Sequence, residues 1–146
     1  FIHALRHPCD VCLSCFMQPF ELNEGTVHFA RLDETVRFYA EVMGLWQTQR
    51  EVLDLSVHDA RYEDIVGKRE SSLRNLLAFL DLSWDETMLS RPACAQRQPF
   101  IGTDDDRRET PDGTAKTVDR WRKYEIHLAP HLPRLRPFIK AFGYAG

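Results

Sequence analysis

The sequence predicts an α/β fold in which parallel strands are flanked by helices and followed by a helical carboxyl-terminal part. Three observations support this fold class. An apolar run, Phe1–Leu5, leads directly into a helix start; a segment of period two, Val52–Ala60, follows a long amphipathic segment; and prolines interrupt a final helical stretch, residues 128–146. Strands separated by a helix pair in parallel within one sheet. The 146 residues, 43% of them hydrophobic and 28% charged, are enough for one core.

The first strand is predicted to end at a binding position. The run Phe1–Leu5 is typical of a strand covered on both faces, and Arg6 follows at its carboxyl end. Pro8 fits the first turn of a helix and Asp10 favours a helix N-terminus. Ligands of open α/β sheets bind beyond the strand ends, so Arg6 together with Ser14 suits a phosphate ester. The alternative is a plain strand-to-helix corner with a surface arginine.

The cysteines offer a rival interpretation. Cys9, Cys12 and Cys15 have the spacing C-x-x-C-x-x-C, and Cys94 could supply a fourth ligand to an iron–sulfur cluster. However, the first three cysteines fall where the helix after Arg6 should run, and there they form one stripe. We therefore expect buried free thiols and no metal, which agrees with a reducing compartment.

The middle of the chain repeats the pattern of a helix followed by a strand. Leu32–Val52 has apolar residues at three-to-four spacing, which predicts a long amphipathic helix. Val52–Ala60 then alternates apolar and polar residues as a strand does, and it brings Arg61 and Tyr62 to the same sheet edge as Arg6. Tyr62 is thus a candidate for ligand contact, and the alternative is that its ring only packs.

The rest of the chain is predicted to be a helix, a long loop and a helical tail. Leucines at helical spacing indicate a packing helix at Glu70–Leu82, with Ser71 and Ser72 as its caps. Residues 86–117 contain prolines, glycines and a charged run, which predicts a long irregular loop. Helical spacing resumes at Val118–Leu128, where Arg120 and Arg122 could bind a phosphate or simply form a solvated helix face.

Charge and hydropathy exclude several classes of function. The net charge of -3 argues against a general role in binding nucleic acid. The sequence contains no apolar run of membrane-spanning length and no signal peptide. Since the chain begins with Phe1 inside an apparent strand, we expect an upstream segment that completes the domain.

Several motifs together resemble one enzyme family. The segment R-H-P-C-D-V-C-L-S-C-F starts at Arg6 and is followed by Gln18 and Phe20. It resembles the 3′-phosphate-binding segment, R-x-P-x-D-x-x-x-S, of sulfotransferases that use 3′-phosphoadenosine 5′-phosphosulfate. Further matches follow in the family's order, at Arg61–Ile65, Leu73–Trp84 and Asp119–Tyr124. The resemblance extends from Phe1 to about Leu135 and is strongest to the sulfotransferase domain of tetratricopeptide-repeat sulfotransferases, of which residues 1–146 would be the carboxyl-terminal part.

The resemblance implies a P-loop-like sulfotransferase fold, present in part, and a set of nucleotide contacts. Arg6 and Ser14 would bind the 3′-phosphate, Tyr62 would contact the adenine, and Arg120 and Arg122 are further candidates for cofactor binding. The family transfers a sulfuryl group from this donor to a hydroxyl or amine and releases adenosine 3′,5′-bisphosphate. The acceptor here could be a peptide, a carbohydrate or a small molecule.

The resemblance also implies which parts are missing. No glycine-rich phosphate loop occurs in the sequence, so the 5′-phosphosulfate loop and the catalytic base would lie upstream, and no catalytic residue is assigned. We expect this chain alone to be inactive. Asp119 replaces a glycine common in relatives, which favours a second hypothesis: a degenerate sulfotransferase-like interaction module without catalysis. The resemblance to tetratricopeptide-repeat sulfotransferases suggests a cytoplasmic location. Tyrosylprotein sulfotransferases, which are related to that domain, suggest a secretory lumen instead.

Overall fold

Two parallel strands and six α-helices form the part of the chain that the computed structural model describes, residues 1–21, 23–89 and 117–145. The strands are β1 (Ile2–Leu5) and β2 (His58–Arg61). The helices are α1 (Pro8–Met17), α2 (Leu32–Val52), α3 (Tyr62–Gly67), α4 (Arg69–Phe79), α5 (Glu125–Leu128) and α6 (Leu132–Ala141). Short 3₁₀ helices occupy Thr26–Ala30, Glu86–Met88, Arg120–Tyr124 and Ala129–His131. The mixed α/β class predicted from the sequence is confirmed.

The strands pair in parallel, with Leu5 opposite Arg61 at their carboxyl ends. The long helix α2 lies between them in sequence, as a parallel connection requires. Its predicted bounds, Leu32–Val52, are confirmed. Both strand ends therefore open at one edge of the sheet, where Arg6 and Tyr62 follow them.

The core lies on one side of the sheet, where α1, α2 and α6 pack together. Its main cluster is formed by buried residues of these helices and of the segment between them: Cys9, Cys12, Leu13, Val36, Trp121, Leu128, Leu135 and Ile139. A second cluster joins Leu5 of β1 to Phe138 and Phe142. Because Leu5 and Phe138 share this cluster, the first strand is anchored directly to the carboxyl-terminal helix.

The prediction that β1 is covered on both faces is wrong for the described part of the chain. Leu5 is buried, whereas Phe1 is 69% and Ile2 50% exposed. Side chains alternate between the two faces of a strand, and His3 and Leu5 point to the side of α2 and α6. The opposite face near Ile2 lacks such a layer among the described residues, so its apolar side chains meet solvent.

The second strand is shorter than its sequence pattern suggests. The alternation at Val52–Ala60 predicts a strand over nine positions, but Val52 ends α2 and only His58–Arg61 are paired. Between them Asp54 adopts a left-handed conformation, with φ of 46°, and turns the chain. Leu53 is 57% exposed there, so its place in the alternation reflects a turn and not a buried strand face.

Helix boundaries differ in detail from the predicted ones. The sequence pattern after Pro8 predicts a first helix that ends near Phe20, whereas α1 ends at Met17. Helix α4 begins at Arg69, so Ser71 and Ser72 lie inside the helix and do not cap it. The Ser71 hydroxyl instead donates to the carbonyl of Lys68 at 3.0 Å.

The carboxyl end of α4 is closed by an aspartate in a position that favours glycine. Asp81 has φ of 56°, and its N–H donates to the Ala78 carbonyl at 3.3 Å. The N–H of Leu82 donates to the Leu77 carbonyl at 2.9 Å, which completes a Schellman motif. The left-handed geometry that glycine usually provides at a helix end is therefore present although the residue is aspartate.

Most of the predicted long loop lies outside the described residues. Within 86–117, Glu86–Met88 form a 3₁₀ helix and Thr117 is described, whereas 90–116, including Cys94, are not among the described positions. The helical prediction for Val118–Leu128 is confirmed as a 3₁₀ turn followed by α5. None of the helices in the described ranges is long and apolar enough to cross a membrane.

Candidate functional site

Arg6 and Tyr62 meet where the two strands end. Arg6 follows β1, Tyr62 opens α3 directly after β2, and the parallel register places the two positions side by side. The guanidinium carbon of Arg6 lies 4.8 Å from the centre of the Tyr62 ring, a cation–π contact. The sequence argument that both strands deliver a side chain to the same edge is thus confirmed in its geometry.

Thr117 joins this pair from the carboxyl-terminal segment. Its carbonyl accepts a hydrogen bond from Arg6 Nη2 at 2.8 Å, and its hydroxyl lies 2.9 Å from the Tyr62 hydroxyl. Sequence reasoning missed this residue, because it is 111 positions from Arg6 and lies outside every quoted motif. The only available signal was its position two residues before the Asp119–Tyr124 motif.

The guanidinium of Arg6 keeps unused hydrogen-bonding capacity. Its Nε is buried and has no hydrogen-bond partner within the described ranges. A buried donor on a cation is costly to leave unpaired, and an anionic oxygen is its best partner. Arg6 also borders a cavity of about 240 Å³, mostly apolar, between β1, α1 and α2. The half-buried Arg6 therefore combines a positive charge with a buried donor that has no partner among the described residues, as an anion site requires.

Three further candidates occupy separate positions. Ser14 lies half-buried on α1, and its hydroxyl makes no hydrogen bond to another described residue. Arg120 Nη2 lies 3.5 Å from the sulfur of Met17, at the end of α1. Arg122 stacks on Trp121, with 4.7 Å between the guanidinium carbon and the ring centre. The structure thus brings together Arg6 and Tyr62 and places the two later arginines on the 3₁₀ helix that follows Thr117.

Asp119 bears directly on Arg122. Its carboxylate lies 3.4 Å from Arg122 Nε, and its φ of 56° places it in the left-handed region. Both side chains are about half exposed, so the ion pair is weak. The carboxylate nevertheless competes with any anionic ligand for this guanidinium.

Asp10 fixes the 3₁₀ helix against α1. Its side chain is 1% exposed, and Oδ1 accepts a hydrogen bond from the backbone N–H of Trp121 at 2.8 Å. Burial raises the pKa of the Asp10 carboxyl, while this N–H and the charge of Arg6 act in the opposite direction. The aspartate of the R-x-P-x-D motif therefore positions the Arg120–Tyr124 segment rather than only starting a helix.

His7 supports the same corner from the other side. Its Nδ1 accepts from the Cys9 N–H at 3.2 Å and so caps α1, and its Nε2 lies 3.3 Å from the Ala145 carbonyl. The ring stacks on Trp121 at 4.8 Å. Burial lowers the pKa of His7. These contacts together describe a neutral ring with the proton on Nε2.

Glu63 connects the corner to the carboxyl terminus. Its Oε1 accepts from the backbone N–H of His7 at 2.9 Å, and its Oε2 accepts from the Tyr144 hydroxyl at 2.9 Å. The Arg61 guanidinium stacks on the Tyr144 ring and donates to the Phe142 carbonyl. Glu63 therefore joins its own segment to two others that are distant in sequence, at His7 and at Tyr144.

The cysteines of α1 are free in the structure. Cys9 and Cys12 are buried, and burial raises the pKa of Cys9 to about 12 and that of Cys12 further still. Thiols in such surroundings are poor nucleophiles. No group of three side chains that could hold a metal ion occurs in the ranges the structure describes, and Cys94 lies outside them.

Comparisons with known proteins agree with the motifs. Residues 1–86 match the sequence profile described as "Sulfotransferase family". A protein of Aquifex aeolicus (strain VF5), described as "Uncharacterized protein", is 24% identical over 143 residues. That alignment covers 95% of this chain and 18% of the relative, so the chain spans less than a fifth of the curated relative that it matches. No solved structure matches the chain. Because the matched profile spans more than half of the residues, including the Arg6 and Tyr62 motifs, the chain belongs to the sulfotransferase family.

Proposed function

We propose that this chain binds the nucleotide of a sulfotransferase that uses 3′-phosphoadenosine 5′-phosphosulfate. In this proposal Arg6 and Ser14 contact the 3′-phosphate and Tyr62 contacts the adenine. The observation that carries the proposal is the buried Nε of Arg6 at the carboxyl end of β1, which has no hydrogen-bond partner among the described residues and lies beside the Tyr62 ring. A phosphate oxygen would complete its hydrogen bonding, and strand ends of α/β sheets are where such ligands bind.

The remaining parts of the enzyme belong to the same proposal. The chain would be the carboxyl-terminal part of one P-loop-like sulfotransferase domain, and upstream residues would hold the 5′-phosphosulfate and supply the base. The bound donor supplies the sulfuryl group for an acceptor hydroxyl or amine. The described residues contribute binding and orientation, and we assign none of them to proton transfer. Buried free thiols agree with a reducing cytoplasm.

Calorimetric titration tests the proposal with two ligands that differ only in the 3′-phosphate. Adenosine 3′,5′-bisphosphate should bind more tightly than adenosine 5′-monophosphate. Arg6→Ala should reduce affinity for the bisphosphate by about 10- to 100-fold and bring it close to that of the monophosphate, as expected for a charge-assisted hydrogen bond.

A matched control is available on the surface. Arg74 also stacks on an aromatic ring, 4.0 Å from the centre of Trp84, but it lies on α4. Arg74→Ala should therefore leave both affinities unchanged. Equal affinities of the wild type for the two nucleotides, or an Arg6→Ala variant that binds like the wild type, would reject the nucleotide site.

A second function is favoured by one observation at Asp119. Its carboxylate occupies the neighbourhood of Arg122, which an anion-binding segment would keep open. A degenerate sulfotransferase-like interaction module would keep the fold without the nucleotide. For such a module, the folded chain would bind neither nucleotide, even with upstream residues present.

A further inference from the structure

Thr117 contacts both members of the proposed nucleotide site at once. Its carbonyl oxygen lies 2.8 Å from Arg6 Nη2, and its hydroxyl oxygen lies 2.9 Å from the Tyr62 hydroxyl. Arg6 and Tyr62 also contact each other through the cation–π stack. The three residues therefore form a closed triangle that joins β1, the start of α3 and the carboxyl-terminal segment.

We propose that Thr117 is the positioning residue of this site, holding the Arg6 guanidinium and the Tyr62 phenol in the arrangement that receives the nucleotide. The inference rests on the proposed nucleotide binding and adds a residue that the family motifs do not contain. In this proposal the backbone carbonyl and the side-chain hydroxyl of Thr117 have separate tasks. The backbone carbonyl orients Arg6, and the side-chain hydroxyl orients Tyr62.

The physical reason is preorganisation. An arginine side chain has large rotamer freedom, and a ligand that must immobilise it loses affinity. The Thr117 carbonyl holds one guanidinium nitrogen before any ligand arrives, while Nε stays without a partner in the described part of the chain. Part of the ordering of Arg6 is thus already present in the free protein.

The hydroxyl pair has a second consequence for Tyr62. A phenol offers one donor and can also accept, and Thr117 Oγ1 engages one of these functions. The ring is then held at its hydroxyl end by Thr117 and on its face by Arg6. Threonine suits this role because its branched side chain has few rotamers. Loss of the Thr117 hydroxyl therefore frees the Tyr62 ring, which is also the surface on which Arg6 stacks.

The test combines three substitutions with calorimetric titration of adenosine 3′,5′-bisphosphate. Thr117→Val removes the hydroxyl at nearly constant volume and should reduce affinity about fivefold, the effect of one hydrogen bond. Thr117→Ser restores the hydroxyl and should bind within about twofold of the wild type. Tyr62→Phe removes the other partner, so the double variant Tyr62→Phe/Thr117→Val should lose no more than the larger single effect.

A control separates positioning from general stability. The Thr48 hydroxyl donates to the Gly44 carbonyl at 3.1 Å on the exposed side of α2, away from the three residues. Thr48→Val should leave the affinity unchanged. A structural role of Thr117 alone would give additive losses in the double variant and no rescue by serine.

The outcomes distinguish this inference from the proposed function. If the wild type prefers the bisphosphate over adenosine 5′-monophosphate and Thr117→Val binds like the wild type, the positioning role is overturned while the nucleotide site stands. If the wild type binds neither nucleotide even with the upstream residues present, both proposals are overturned. Weaker binding of Thr117→Val, rescue by serine and non-additivity with Tyr62→Phe support the positioning role.

Discussion

The carboxylate of Asp10 holds the backbone N–H of Trp121 at 2.8 Å across 111 residues of sequence. This hydrogen bond is one of the contacts that join the first helix to the segment that carries Arg120 and Arg122. Both partners are buried, at 1% and 3% exposure, so water does not replace the acceptor when it is removed. This contact, together with the hydrogen bond from Arg6 to the Thr117 carbonyl, fixes the carboxyl-terminal segment relative to Arg6.

Asp10→Ala should destabilise the fold because it leaves the Trp121 N–H buried without a partner. We expect a loss of about 1 to 3 kcal/mol in the free energy of unfolding, measured by urea denaturation. Asp85 provides the control: it accepts from the Thr87 N–H at 2.8 Å in the same manner, but on the surface. Asp85→Ala should cost less than Asp10→Ala. Equal losses would contradict the importance of burial.

His7 should make stability depend on pH. Burial lowers its folded-state pKa below the ordinary value of 6.5, so the unfolded chain binds more protons between these two values. Stability that is full above pH 6.5 is therefore lost as the pH falls towards the folded-state pKa. His7→Asn keeps a capping side chain but cannot titrate. The difference in unfolding free energy between wild type and variant should shrink on acidification, measured between about pH 5 and 8; a constant difference would exclude His7 as the cause.

Asp81→Gly should stabilise the protein. Asp81 holds a left-handed φ of 56° in the Schellman motif that ends α4, where glycine has no steric cost. We expect a gain of about 0.5 to 1 kcal/mol, read from the urea midpoint at constant slope. Asp81→Ala should change stability in the opposite direction, since alanine tolerates this conformation poorly. A loss on Asp81→Gly would show that the carboxylate itself contributes.

Substitution of Asp119 should strengthen nucleotide binding. Its carboxylate lies 3.4 Å from Arg122 Nε and opposes an anionic ligand. Asp119→Asn removes the charge alone and should raise affinity for adenosine 3′,5′-bisphosphate by up to about fivefold, while Asp119→Gly also relieves the left-handed backbone. Asp33→Asn removes a carboxylate of similar exposure from an ion pair with Arg31 at the start of α2, and it is the control for net charge. Unchanged affinity of both Asp119 variants would place the phosphate away from Arg122.

The sequence predicted those features that depend on local periodicity. The bounds of α2 follow from its apolar spacing, and the meeting of Arg6 with Tyr62 follows from the rule that parallel strands end at one edge. The predicted start of β2 at Val52 is wrong, because the alternation of apolar and polar residues continues at Leu53 through a turn, and the strand begins at His58. A local sequence pattern does not distinguish an exposed turn from a buried strand, because the distinction depends on what packs against each side chain.

The contacts that complete the site were beyond sequence reasoning for another reason. The sequence predicts that Asp10 starts a helix, whereas its bond to Trp121 is set by the packing of α1 against a distant segment. Thr117 belongs to no motif and contacts Arg6 only after the chain has folded. The roles of Ser14, Arg120 and Arg122 in phosphate binding remain predictions.

The triangle of Arg6, Tyr62 and Thr117 also bears on how the protein folds. Its sides span 55 and 111 residues, so its formation closes long loops, a slow step in folding. No early, locally folded intermediate can contain the complete triangle. A ligand that binds it recognises only the fully folded chain and should raise the unfolding free energy of the whole unit with its concentration. Slower amide exchange in α6, which contributes no residue to the triangle, would make nucleotide binding visible as global stabilisation.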